Sequence, residues 1–267
     1  MNIFKQEFKM KIKSIIIWSL SLGAFMIFYM AFFPTMIKDS AALDSIMNSM
    51  PKEMLQALGL REGLSISNLI GYFTLTFTLI QLAIAIQSAN YGFSILTEEE
   101  RDLTADFLMT KPISRSKVYF SKFIAAFLSL VITAIVVSVG SFIALELFNA
   151  GQHYETPNVL KLLITIPIFQ LVFLSMGMLI SLFFKKVRSV LSLSMGLAIG
   201  LYVINSVRGI ADSKILGYFS PYYYFEPGII LKNGEYDWIL LFLGFGIIAI
   251  SLIGSYIIYN KRDIHSL

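Results

Sequence analysis

Six stretches of this chain are long and apolar enough to leave water for hydrocarbon: Ile15 to Phe33, Leu69 to Leu96, Val118 to Phe148, Val159 to Phe184, Ser189 to Val207 and Trp238 to Tyr259. Crossing about 30 Å of acyl chain takes about 20 residues of helix, and a backbone at that depth must satisfy its own hydrogen bonds. The sequence therefore predicts an all-α integral membrane protein of six transmembrane helices, forming a single transmembrane domain over 1–267. Outer-membrane strands would alternate apolar and polar residues in pieces of about ten, and no such repeat occurs. Composition agrees: the chain is 57% hydrophobic and 14% charged, whereas about a quarter of a soluble domain is charged. The first run follows Lys5, Lys9, Lys11 and Lys13, is long, and has no small-residue cleavage site, so it is expected to stay as an anchor.

Orientation follows from the basic residues, which accumulate on the cytoplasmic side of short loops. Placing the N-terminus inside puts fourteen of the 21 Lys and Arg residues in inner segments and seven in outer ones. Both termini are thus expected in the cytoplasm, together with the segment 97–117 and the basic turn Lys185 to Arg188. Residues 34–68 and 208–237 become extracellular loops. The net charge of +4 is this bias in aggregate, and no nucleic-acid partner is expected. With no cysteine in the chain, neither a disulfide framework nor a thiolate metal site is available.

Within 1–14, Phe4, Phe8 and Ile12 recur every four residues with Lys5, Lys9 and Lys13 one step round. That pattern predicts an amphipathic helix lying flat at the headgroups, with an inward extension of the first span as the alternative. The aromatic run Tyr218-Phe219-Ser220-Pro221-Tyr222-Tyr223-Tyr224-Phe225 is expected to be a membrane-boundary belt, since rings with polar tips collect there. Lining of an outer substrate path is the other reading.

The segment between the second and third runs is the most polar interior piece. Thr97 and Glu100 have capping-box spacing, and Glu98, Glu99, Glu100 and Asp102 suit the positive end of a new helix. Leu103, Phe107 and Leu108 give it an apolar face, Pro112 ends it, and Ser114 is placed to cap the next span. The expectation is a short amphipathic helix, a kink and a return to the membrane: a stiff piece anchored at both ends.

The run Thr104-Ala105-Asp106-Phe107-Leu108-Met109-Thr110-Lys111-Pro112-Ile113-Ser114-Arg115, followed by Lys122, resembles the acidic cluster, Gly-Thr-Leu, leucine-rich stretch and Pro-Ile-Ser-Arg of type-2 ABC exporter permeases. It stands at the same place within six spans, and the Ser220-Pro221 aromatic run is similar to that family's external Ser-Pro-aromatic element. Leu103 departs from the family's usual glycine. The resemblance implies that the segment is a coupling helix seated in a groove of a separate ABC ATPase, present in two copies, which would bind the ATP and Mg. Glu98, Glu99, Glu100, Arg101, Thr104, Asp106, Phe107, Leu108, Pro112, Ser114 and Arg115 would then form the ATPase contact. A second permease copy or a paralogous permease would complete the transporter. This chain itself has no Gly-x4-Gly-Lys-Ser/Thr phosphate loop.

Inside the membrane, Gly71, Thr74, Thr78, Gln81, Ala85 and Ser88 of the second span form one small or polar stripe, and Ser192, Gly196 and Gly200 of the fifth repeat at intervals of four. Small residues let helix backbones approach in lipid, so these stripes are expected to be packing faces, a seam between two permeases, or in part a substrate path. Acidic or histidine relays at mid-depth, which ion-coupled transporters carry, are lacking. His153 and His265 lie outside the spans and form no HExxH pair, and no catalysis is expected of this chain. The sequence reading is thus a non-catalytic permease subunit in a bacterial plasma membrane, exporting a peptide, an antimicrobial or another amphipathic molecule. A membrane sensor or accessory subunit that binds a soluble partner without transport is the alternative.

Overall fold

The computed structural model describes residues 3–39, 64–98, 113–184, 187, 189–211 and 213–261, with scattered positions among residues 43–60. Six long helices carry the fold: α1 Ile3–Met30, α2 Leu69–Ile95, α3 Arg115–Phe148, α4 Thr156–Ser181, α5 Val190–Ala211 and α6 Trp238–Lys261. All six are apolar enough to span a bilayer, and no strand occurs among the described residues. The protein is an all-α, multi-pass membrane protein.

Local chemistry sets the helix starts. Asn68 is extended and its side chain accepts from the Gly71 amide at 2.7 Å, opening α2. Ser114 does the same for α3, accepting from the Lys117 amide at 3.4 Å, as its position after Pro112 predicts. Glu155 is the cap residue of α4, with Pro157 in the first turn, where its missing N–H costs nothing.

Two helices fill the centre. α2 and α4 lie together and are buried over most of their length, with Phe73, Phe77, Phe169 and Phe173 fully enclosed. They approach closely at Gly92 and Gly177: a Cβ on Gly92 would lie 2.9 Å from the Gly177 Cα. α1 packs along α3 and crosses it at Gly23 and Gly140, whose hypothetical Cβ would meet the Gly23 Cα at 3.4 Å. α5 leans on α2 and α6 on α4, each through one narrow stripe, leaving most of both helices facing outward.

The N-terminal stretch differs from the flat interfacial helix expected of it. α1 runs from Ile3 to Met30 without a break, so residues 3–14 extend the first span. No glycine or proline stands before Gly23 to turn the chain. The buried stripe is Ile3, Glu7, Lys11, Ile15 and Ser19, while Ile12 is exposed. The polar face turns inward because Lys122 of α3 supplies a partner for Glu7.

The aromatic run also differs from the boundary belt expected of it. Ser220, Pro221, Tyr222, Tyr224 and Phe225 are buried inside the bundle, and only Tyr218 and Phe219 have the exposure of a boundary belt. The chain after α5 makes three short helices, Lys214–Gly217, Pro221–Tyr224 and Pro227–Asn233, that dip back among α2, α4, α5 and α6. Polar tips are satisfied inside: the Ser220 hydroxyl donates to the Leu201 carbonyl at 2.8 Å and the Tyr222 hydroxyl to the Ala198 carbonyl at 3.1 Å. Phe169, Phe173 and Tyr202 close around the Tyr222 ring with centroids 5.3 to 5.5 Å away.

Candidate functional site

At one end of the bundle the start of α1, the end of α2, the start of α3 and the end of α6 converge. The Lys122 ammonium of α3 lies 3.1 Å from the Glu7 carboxylate of α1, and their side chains are 1% and 7% exposed. Lys11 of α1 sits over the Tyr91 ring of α2 at 5.5 Å, and the Tyr91 hydroxyl donates to Ser14 at 3.0 Å. The Arg115 guanidinium donates to the Asn260 carbonyl at 3.3 Å, and Ser116 shares a hydrogen bond of 2.9 Å with Tyr256. Either charge buried alone would cost several kcal/mol of desolvation, so the Glu7–Lys122 contact ties α1 to α3.

Three of the expected coupling residues, Glu98, Ser114 and Arg115, are described and fall at this end. Glu98 is the last described residue after α2, and Ser114 and Arg115 open α3. Glu99, Glu100, Arg101, Thr104, Asp106, Phe107, Leu108 and Pro112 lie outside the described residues, as does Glu100's side of the capping box. Thr97 is buried and its hydroxyl donates to the Phe93 carbonyl at 2.7 Å, closing the last turn of α2.

The second-span stripe lies inside the helix bundle. Thr74, Thr78, Gln81 and Ser88 are all buried. Their hydroxyls turn back on their own helix, Thr74 to the Ile70 carbonyl, Thr78 to Thr74 and Ser88 to Ile84. Gln81 is the member that reaches another element: its amide donates to the Phe225 carbonyl at 3.0 Å, holding the buried aromatic turn. Ser192, Gly196 and Gly200 of α5 face outward, and a Cβ at either glycine would meet nothing within 4 Å. The structure therefore does not bring the two stripes together within one chain.

Several polar contacts escaped the sequence reading. The Gln87 amide donates to the Thr133 hydroxyl at 3.0 Å, and Thr133 accepts from Ser19 at 3.1 Å, so α2, α3 and α1 share one buried polar junction. At the opposite end of the bundle the Arg208 guanidinium lies 3.0 Å from the Glu226 carboxylate and 4.1 Å above the Tyr223 ring. That pair ties α5 to the turn before Pro227–Asn233. Intervals of three and four within one helix reveal stripes, whereas these pairs join residues of different helices and leave no such pattern.

Beside them is a cleft of about 410 Å³ lined by Ile70, His153, Tyr154, Glu155, Asn158, Leu231 and Lys232. Its polar groups are largely engaged: Asn158 donates to Glu155 and to the Leu231 carbonyl, and Tyr154 donates to Glu146. Partial burial and then the Glu146 carboxylate push the Tyr154 hydroxyl up to about 12. Among the described residues no group of His, Cys, Asp and Glu is arranged to hold a metal.

A family model described as "ABC-2 family transporter protein" matches residues 1–264. No curated protein matches the chain.

Proposed function

The chain belongs to the ABC-2 family of transporter proteins, and from that premise we propose that it is the permease subunit of an ATP-driven exporter, coupled through segment 97–117 to a separate ATPase. The supporting observation is the convergence at one end of the bundle. The described parts of that segment, Thr97 and Glu98 at one side and residues 113–117 at the other, stand with the start of α1 and the end of α6, where Glu7 pairs with Lys122 and Arg115 bonds Asn260. By the excess of basic residues this end is cytoplasmic. A push delivered there meets four helices at once.

The residues that would seat in the ATPase are Glu98, Glu99, Glu100, Arg101, Thr104, Asp106, Phe107 and Leu108, with Pro112, Ser114 and Arg115 making the return to the membrane. ATP and Mg2+ would bind the partner, since this sequence has no phosphate loop. A second permease copy would meet this one through the outward small-residue face of α5 at Ser192, Gly196 and Gly200, where backbones can approach closely. An amphipathic molecule such as a peptide or antimicrobial suits the apolar interior and small external segments, and a bacterial plasma membrane suits the charge bias.

Replacing both Phe107 and Leu108 by Asp tests the coupling. The variant is expected to reach the membrane and lose ATPase association and ATP-driven transport. Normal association and normal export would defeat the assignment. Stimulation of the complex's ATPase by candidate substrates separates a permease from a sensor subunit, which would bind the ATPase without responding to cargo.

A further inference from the structure

Helix α6, like α5, meets the rest of the bundle along one narrow stripe. It is a single helix of 24 residues without a proline, about 36 Å long. Most of its surface faces outward, with Ile239, Phe242, Ile250 and Ile253 between 60% and 72% exposed. Its inward stripe of Leu240, Gly244, Ile248, Ser251, Ser255 and Tyr259 touches the bundle along one line.

Directional contacts gather at the cytoplasmic end of that line, where Arg115, Ser116 and Tyr119 in the first turns of α3 bond α6. Arg115 donates to the Asn260 carbonyl and Ser116 bonds Tyr256. The buried Tyr119 hydroxyl lies 3.1 Å from the Leu252 carbonyl and 2.7 Å from the Ser255 hydroxyl. The Tyr119 ring packs on Tyr256 and Tyr259 with centroids 5.4 and 5.8 Å away. At the outer end Gly244 faces the buried aromatic turn, where an added Cβ would lie 3.6 Å from both the Tyr224 and Phe225 rings. Asp237 caps the helix there through the Ile239 and Leu240 amides.

α6 also packs on α4, where the Leu179 side chain would lie 3.2 Å from a Cβ on Gly254. Apolar contact is non-directional and allows a helix to shift by the 1–2 Å seen in switching proteins, whereas hydrogen bonds in a low dielectric hold their geometry. We propose that α6 is the rod that carries movement of the first turns of α3 to the outer Ser220–Phe225 turn, with Tyr119, Ser255 and Tyr256 as the positioning residues that bolt it to α3. The proposal rests on the permease reading and adds to it which span receives the stroke and where it arrives.

A nitroxide on a single cysteine tests this in a chain that has no cysteine of its own. Tyr218→Cys places the label on an exposed side chain whose backbone carbonyl accepts from the Tyr224 hydroxyl. Tyr224→Phe, which removes that bond, supplies the spectrum of a loosened turn. The complex with its ATPase is reconstituted in lipid nanodiscs and its spectrum recorded with and without ATP plus vanadate. The nucleotide-dependent change is expected in the parent and lost in Tyr119→Phe, Ser255→Ala, Tyr256→Phe, while the nucleotide-free spectrum and ATPase binding stay as they were. A triple variant that keeps the change overturns the rod. So does a parent whose ATPase is bound but whose label never responds, an outcome that leaves the permease reading standing. If no ATPase associates at all, the permease reading falls and the rod falls with it.

Discussion

A methyl group on Gly92 would sit 2.3 Å from the Leu174 carbonyl oxygen and 2.9 Å from the Gly177 Cα, both backbone atoms that no rotamer change can move. Gly92→Ala is therefore expected to cost about 1–3 kcal/mol, as overpacking does. Gly200→Ala, whose Cβ meets nothing, should leave the protomer unchanged or gain up to about 1 kcal/mol from helix propensity. Thermal unfolding in detergent compares the two, and equal melting would contradict the α2–α4 crossing. The Glu7–Lys122 pair is argued on the same scale. Lys122→Met leaves a buried carboxylate without its cation and should cost about 3–5 kcal/mol, whereas Glu7→Gln combined with Lys122→Met should recover most of it. A single variant as mild as the double one would show that the two charges are not coupled.

At the scale of elements, the buried aromatic turn hangs on a few bonds from its neighbours. Gln81→Leu leaves the Phe225 carbonyl unpaired in an apolar setting, and its cost is expected at about 1–2 kcal/mol. Faster amide exchange confined to residues 218–233, with α2 itself protected, is the expected signature. Uniform exchange across the bundle would mean that Gln81 supports α2 and not the turn. The same element shows what periodicity reads and what it misses. The stripe Gly71, Thr74, Thr78, Gln81, Ala85 and Ser88 is visible in the sequence as one face, and the structure buries every member. Which neighbour covers it is not visible there: Gly71 lies against the Ser65 carbonyl and Gln81 against the Phe225 carbonyl. For α1, alternation of Phe4, Phe8 and Ile12 with lysines marks an amphipathic helix but not the face that turns inward. That choice belongs to Lys122, which lies on another helix.

For the whole molecule, the two small-residue stripes have opposite fates, and a dimer experiment follows from the difference. A single cysteine at Gly196 or Gly200 is expected to crosslink two copies in native membranes, while one at Gln81, enclosed within its own protomer, is expected not to. Crosslinks from Gln81, or from α3 and α6 alone, would place the seam elsewhere. The sequence by itself determined the class, the number of spans and their approximate limits. Hydrocarbon thickness fixes the length of an apolar run, and the lack of water fixes helix as its form. It also marked Ser114 as a cap, because a cap is a local bond between neighbours in the chain. Tertiary structure decided which apolar faces meet protein and which meet lipid, since acyl chains and leucine side chains are equally apolar and hydropathy cannot separate them. It likewise decided that Glu7, Lys122, Arg208 and Glu226 are enclosed and that the Ser220–Phe225 turn is interior. Those outcomes depend on partners distant in sequence whose charges and carbonyls make burial affordable.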